Sequence, residues 1–109
     1  MAVPKATEQR FTYADYRQWP DDERWELIDG VAHAMAPAPT IGHQTLTGQL
    51  FRQIDQALDG TPCRTLIAPV DVVLAAAGET DEQAASVVQP DVLVVCDPAK
   101  VGEDRIRGA

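Results

Sequence analysis

The sequence predicts an α+β domain with a mostly antiparallel sheet, and three observations predict it. Asp29-Gly30 sits between two short β-like runs, the segment from Thr40 to Asp59 repeats apolar residues at helical spacing, and the chain beyond it is largely Val- and Leu-rich runs bounded by Pro and Gly. The order is helix, hairpin, helix, strand, strand, which does not alternate as a parallel α/β chain would. A chain of 109 residues with 45% hydrophobic content suits one domain and not a disordered tract.

Residues 1–10 show no periodicity and read as a flexible lead-in to a domain over 11–109. Thr12 to Trp19 forms a short helix: the Thr12 hydroxyl caps the free amides, Asp15 completes a capping-box-like pair, and Pro20 stops the run. Arg24 to Ile28 and Val31 to Ala36 form a hairpin, because a type I′ turn needs positive φ at both central residues and Asp-Gly supplies it. A loop of those two residues pairs Ile28 with Val31, Leu27 with Ala32, Glu26 with His33 and Trp25 with Ala34. Pro37 and Pro39 end the second strand.

From Thr40 to Asp59, Leu46, Leu50, Ile54 and Leu58 recur every four residues, with Thr47, Phe51 and Ala57 widening the stripe. His43 falls at the N-terminal end of that buried face, and Gly60 and Pro62 end the helix. Cys63 to Leu74 reads as one or two strands interrupted at Pro69, Ala75 to Ser86 as an exposed hairpin loop, and Val87 to Cys96 as one further strand. Val92 to Cys96 is apolar on both faces, the pattern of a strand covered on both sides. The tail from Lys100 to Ala109 is charged and unpatterned.

Seventeen acids against nine bases give a net charge of -8, which argues against a protein that grips nucleic acid by a broad basic face. No apolar run approaches the roughly 18 to 20 residues of a membrane span, and the first ten residues lack the apolar core of a signal peptide, so the expectation is a soluble, cytoplasmic protein. Cys63 and Cys96 lie in apolar stretches without a Cys or His at metal spacing, which makes them expected buried thiols.

The strongest chemical signal is Pro90-Asp91 at the head of the apolar run. Proline marks an irregularity in a strand, and an ionised carboxylate beside a buried strand must be paired, hydrogen-bonded or bound to a cation. Asp91 therefore either accepts backbone amides where the strand bends or serves as a ligand; its same-face neighbours are Gln89 and Leu93. Asp71, in a similar setting after Pro69, is expected to face the surface. Glu26, between Trp25 and Leu27, either faces water or takes a metal or base role. His43 is either a packed core-edge histidine or a site residue, and His33 is the weaker histidine. Carboxylates that converge repel one another and call for Mg²⁺ or another hard cation, which can activate water and stabilise charge on a phosphodiester. A negative chain can do this because the charge belongs to the site.

Taken together, Phe11-Thr-Tyr-Ala-Asp-Tyr16, Trp25-Glu-Leu-Ile-Asp-Gly30, Gly42-His-Gln44, Ala68-Pro-Val-Asp-Val72 and Val88-Gln-Pro-Asp-Val92 resemble the Uma family of restriction endonucleases, assigned to the PD-(D/E)xK nuclease superfamily. The resemblance runs from Phe11 to Ala109 and implies a restriction-endonuclease-like core, a central sheet flanked by helices, that hydrolyses DNA with Mg²⁺ or Mn²⁺. By that resemblance Asp91 matches the first catalytic aspartate, a metal ligand. Glu26 matches the glutamate of the Glu-Leu-Ile-Asp-Gly motif as a second, auxiliary acid at the metal, and His43 matches the histidine that opens the next helix.

The departure lies downstream. Members continue through a strand carrying the second acid of the (D/E)xK motif and a lysine-bearing helix, whereas after Asp91 this chain offers only Asp97, Glu103, Asp104 and Lys100. The expectation is a domain whose C-terminal part is missing and which does not cut DNA unaided. A catalytically dead remnant serving as a binding or oligomerisation module is the alternative. A missing strand would leave the sheet edge beside Val92 to Cys96 unpaired, so a homodimer or larger homo-oligomer is expected.

Overall fold

The computed structural model describes residues 9–35 and 39–108. Nearly all of the expected lead-in, and the expected end of the second strand at Ala36 and Pro37, lie outside the described residues.

The fold is α+β. Helix α1 (Tyr13–Tyr16) starts at Thr12, whose amide donates to Asp15 Oδ2 at 3.0 Å, as the capping pattern predicts. It is shorter than expected: beyond Tyr16 the bonds tighten, with Gln18 N donating to Asp15 O and Trp19 N to Tyr16 O. Strands β1 (Trp25–Ile28) and β2 (Val31–Ala34) form the expected hairpin in the expected register, with Glu26 opposite His33. Asp29 and Gly30 have φ of 48° and 80°, the left-handed pair the turn demands. Helix α2 (Ile41–Ala57) is capped by Thr40, whose Oγ1 accepts from His43 N at 3.1 Å.

The C-terminal part departs from expectation. Strands β3 (Arg64–Ile67) and β4 (Asp71–Val73) flank Pro69, as expected, with a cis Ala68–Pro69 peptide. The single strand expected over Val87 to Cys96 is instead two, β5 (Val87–Val88) and β6 (Val92–Val95), and they join different sheets. Pro90 lacks an amide, and Gln89 N donates to the Glu26 carboxylate at 2.9 Å instead of to a strand, so the ladder stops and the chain crosses over. The expected unpatterned tail holds a 3₁₀ turn (Pro98–Lys100) and strand β7 (Arg105–Arg107), where Ile106 is buried against β4.

The larger sheet has the order β2-β1-β5-β4-β7, antiparallel except for the parallel β4–β7 pair. Its core is Tyr13, Leu27, Val73, Ala84 and Val87, flanked by Phe11, Tyr16 and Trp19. The segment Ala75 to Ser86 is exposed from Ala76 to Thr80, as expected, but its second half is partly packed. Ala84 is wholly buried, and the 3₁₀ turn Asp81–Gln83 packs beside α1. Asp81 is largely buried and accepts from Arg105 Nε at 2.9 Å and Arg107 Nε at 2.8 Å. Burial alone would raise the Asp81 pKa, but its hydrogen bonds from the two arginines outweigh burial and hold it below the ordinary carboxylate value.

Strands β3 and β6 form a separate two-stranded antiparallel sheet. Val92 to Cys96 is therefore not covered on both faces: Val94 is 44% exposed, and β6 pairs with no described strand other than β3. The cysteines are not free thiols. Arg64 stands opposite Val95, so one more step of the same register sets Cys63 opposite Cys96, and the two form a disulfide. Sequence spacing could not show this, because the pairing depends on the strand register. Helix α2 packs on this ribbon with half its stripe: Thr47, Phe51, Ile54 and Leu58 are half-buried, whereas Leu46 and Leu50 are exposed.

Candidate active site

The crossing between the two sheets creates the site. Three chain segments end together there: the open end of the hairpin, where Met35 N donates to Arg24 O at 2.9 Å, the first turn of α2, and the link from β5 to β6. The turn after β3 closes the floor, with Ala68 N donating to Asp91 O at 3.1 Å. Between them lies a cleft of about 550 Å³ lined by Arg24, Thr40, His43, Gln44, Ile67 and Asp91, among others.

Asp91 and His43 meet in this cleft, with His43 Nε2 3.4 Å from Asp91 Oδ2. Both side chains are open to solvent, 44% for His43 and 62% for Asp91. His43 is thus not the packed core-edge residue its helical spacing allowed. No backbone amide among the described residues donates to the Asp91 carboxylate, so the reading in which Asp91 satisfies a bent strand does not describe it. The carboxylate lies beside the N-terminal turn of α2, the end of a helix that attracts negative charge.

Glu26 is held differently. It lies half-buried on β1, accepts from Gln89 N, and does not line the cleft. Gln89 stands two residues before Asp91, so Glu26 fixes the segment that presents Asp91. His33, its cross-strand neighbour, is exposed and takes no part.

Gln89 is the hub of this region, although its sequence setting marks it only as a neighbour of Asp91. Its amide nitrogen Nε2 donates to Asp71 Oδ1 at 2.8 Å and to the Tyr16 hydroxyl at 3.1 Å. Its Oε1 accepts from Arg24 Nε at 3.0 Å and Nη2 at 2.9 Å. Asp71 therefore does not face the surface: it is half-buried and also accepts the Tyr16 hydroxyl at 2.7 Å. Burial first, and then the bond to Asp71, push the Tyr16 pKa well above the ordinary phenol value, so the hydroxyl stays a donor. Strand alternation, which links Gln89 with Asp91 and Arg24 with Glu26, is the one sequence signal that could have found these residues.

The donor set suits a hard cation only in part. Asp91 offers an exposed carboxylate that no amide among the described residues claims, and one Glu26 oxygen is committed to Gln89. Among the described residues no three His, Cys, Asp or Glu side chains gather closely enough to hold a metal ion. Mg²⁺ tolerates this, because it is commonly held by one or two carboxylates with waters and substrate phosphates completing its octahedron. A caged, protein-only metal centre does not fit.

No helix among the described residues is long and apolar enough to cross a membrane. No curated protein matches the chain. A family model does: Uma2, described as "Putative restriction endonuclease", matches residues 13–109. That span takes in α1, the hairpin, α2 and β3 to β7, and an α+β architecture with a mixed five-stranded sheet accords with a restriction-endonuclease-like fold. Matched over residues 13–109, the chain belongs to the Uma2 family.

Proposed function

We propose that the cleft is a phosphodiester site for DNA, assisted by Mg²⁺ or Mn²⁺. The observation that carries this is the meeting of Asp91 and His43, open and 3.4 Å apart, in a cleft inside the matched family span. Asp91 would hold the ion, and Glu26, which stands outside the cleft, would serve as the auxiliary acid through its bond to Gln89. Such an ion supplies a polarised phosphoryl oxygen and a more acidic water. His43 sits beside the scissile phosphate, where its Nε2 can donate to a phosphate oxygen when protonated or hold a proton near the leaving group. Thr40 fixes the His43 backbone, and Glu26 with Gln89 fixes the approach of Asp91.

These 109 residues by themselves bind rather than cut, in this reading. One cleft carboxylate leaves an ion loosely held, and Lys100 lines a different pocket from the cleft. A plasmid-nicking assay in Mg²⁺ or Mn²⁺, paired with duplex-DNA binding, tests both parts. We expect metal-enhanced binding that Asp91→Ala abolishes, and intact plasmid. Nicking that disappears in Asp91→Ala would overturn the binding-only part. The absence of any DNA binding or metal effect would overturn the site itself.

A second reading, an oligomerisation module, is favoured by one observation. The β6 edge has no described partner, and Val94, Ile67, Leu46 and Leu50 are exposed in the half of the molecule built from β3, β6 and α2. An unpaired apolar edge templates strand addition, which would make a homodimer or larger assembly. Light scattering at high concentration is expected to show it, and a monomer mass there rules it out.

A further inference from the structure

Arg24 lines the same cleft, and nothing in the family match or in the motifs marks it. Its position is set by the hairpin. Arg24, one residue before β1, and Glu26 on β1 both reach Gln89, Glu26 through the backbone amide and Arg24 through the side chain. Gln89 is fixed in turn by Asp71 and Tyr16. The guanidinium is thereby held by two bonds to one neutral oxygen, which orients it without neutralising it.

Arg17 pairs with Glu82, and Arg105 and Arg107 pair with Asp81, whereas among the described residues Arg24, like Arg52 and Arg64, makes no ion pair. Its Nη1 has no hydrogen-bond partner there either. In a chain of net charge -8, an oriented and uncompensated guanidinium on a cleft wall is unusual. It is also the one Arg or Lys among the described residues lining the cleft. Asp91 repels an anion from this cleft, and a cation on the wall would draw a phosphate in beside the ion that Asp91 is proposed to hold. A guanidinium held on one edge, with Nη1 open, matches a phosphate oxygen better than a mobile ammonium does.

We propose that Arg24 is a phosphate-binding residue of this cleft, seating a DNA backbone phosphate through its open nitrogen while Gln89 holds the other edge of the guanidinium. The proposal rests on the phosphodiester reading of the cleft. It assigns Gln89 a positioning role: the Gln89–Asp71–Tyr16 chain aims Arg24, and the Gln89–Glu26 bond aims Asp91, so one residue aligns the cation and the carboxylate together.

The test is binding of the full chain to a short DNA duplex by fluorescence anisotropy in Mg²⁺, repeated from 50 to 200 mM salt. Each phosphate contact contributes about 0.9 to the slope of log K against log salt. Arg24→Gln is expected to weaken binding about tenfold at low salt and to flatten the slope by about 0.9. Arg24→Lys keeps the charge, so it retains the slope while binding a few-fold more weakly. A role confined to supporting Gln89 would lower the melting temperature in both variants and leave both slopes unchanged, which overturns the proposal. Should Arg24→Gln fail to fold, Arg24→Lys decides alone, and wild-type affinity in it is the contrary result. Wild-type chain that binds no DNA would remove the phosphodiester reading and this inference together. Binding that is lost in Asp91→Ala but indifferent to Arg24→Gln removes this inference alone.

Discussion

The two halves of the molecule are built on opposite terms. The five-stranded sheet encloses Leu27, Val73 and Val87 completely, and its polar groups are tied in a ladder from Tyr16 through Asp71 and Gln89 to Arg24. The β3–β6 ribbon with helix α2 buries little: no residue of α2 is fully buried, and a disulfide closes the ribbon's end. A two-stranded ribbon is marginal in water unless packed or stapled. Stability therefore resides in the first half, whereas two of the cleft's chemical groups, His43 and Asp91, sit on or at the end of the second. The cleft lies at the seam, where Arg24 on the rigid side faces the two residues on the looser side. Such a division leaves a site free to adjust to a ligand without loosening the core.

A pair of leucine truncations puts this contrast to its hardest trial. Leu27→Ala, at 0% exposure, is expected to cost about 4 kcal/mol in chemical denaturation. Leu46→Ala, at 57% exposure on α2, is expected to cost under about 0.5 kcal/mol. Equal costs would show that the ribbon half carries a core of its own. Next in size is the disulfide. Cys63→Ser with Cys96→Ser, or a dithiol reductant, is expected to cost about 3 kcal/mol by opening a loop closed across a separation of 33 residues. Amide exchange should quicken in β3, β6 and α2 and remain slow in β1, β4 and β5.

Smaller effects probe the same division. Asp81 has a depressed pKa in the fold, so its contribution is present above the unfolded value near 3.8 and is lost as pH falls through the lower folded value. Wild-type stability should fall below about pH 4, and Asp81→Asn should be less stable at neutral pH, by about 2 kcal/mol, with a flatter acid limb. An unchanged acid limb in that variant would place the acid sensitivity elsewhere. Last, Thr40→Ala removes the α2 cap and should cost about 1 kcal/mol, with faster exchange at the His43 amide. A cost near zero would mean that packing on the ribbon fixes the helix start without its cap.

Legibility in the sequence divides along the same seam. The Asp29-Gly30 turn dictates its backbone and, through it, every pair of the β1–β2 register, so the hairpin is legible to the residue. The Thr12–Asp15 cap is legible for the same local reason, and the Thr40 cap, which the helical stripe alone does not announce, obeys the same chemistry. The apolar run Val87 to Cys96 hides a change of sheet, because hydrophobicity cannot say which partner a strand will choose. That single ambiguity conceals the two-sheet topology, the disulfide and the exposure of Val94. It also conceals β7, whose Ile106 is flanked by two arginines that read as tail charge until Asp81 is found beside them.

The site divides likewise. Residue type and neighbours single out Pro90-Asp91 and His43, but their meeting depends on how α2 packs on the ribbon. Alternation alone links Arg24 with Glu26 and Gln89 with Asp91, and each reads as an ordinary residue flanking a strand until the side chains are placed. Glu26 has the setting of a metal or base residue and is found holding Gln89, which no spacing rule distinguishes.

Everything proposed for this cleft depends on its taking a divalent cation beside Asp91 and His43. A Mn²⁺ titration of the isotopically labelled chain, followed by amide NMR, decides the point. The expected result is paramagnetic broadening centred on Asp91, His43 and Thr40 that Asp91→Ala removes while the remaining spectrum stays folded. Broadening centred instead on the acids around Asp104 or Glu79, or broadening that survives Asp91→Ala, would contradict it.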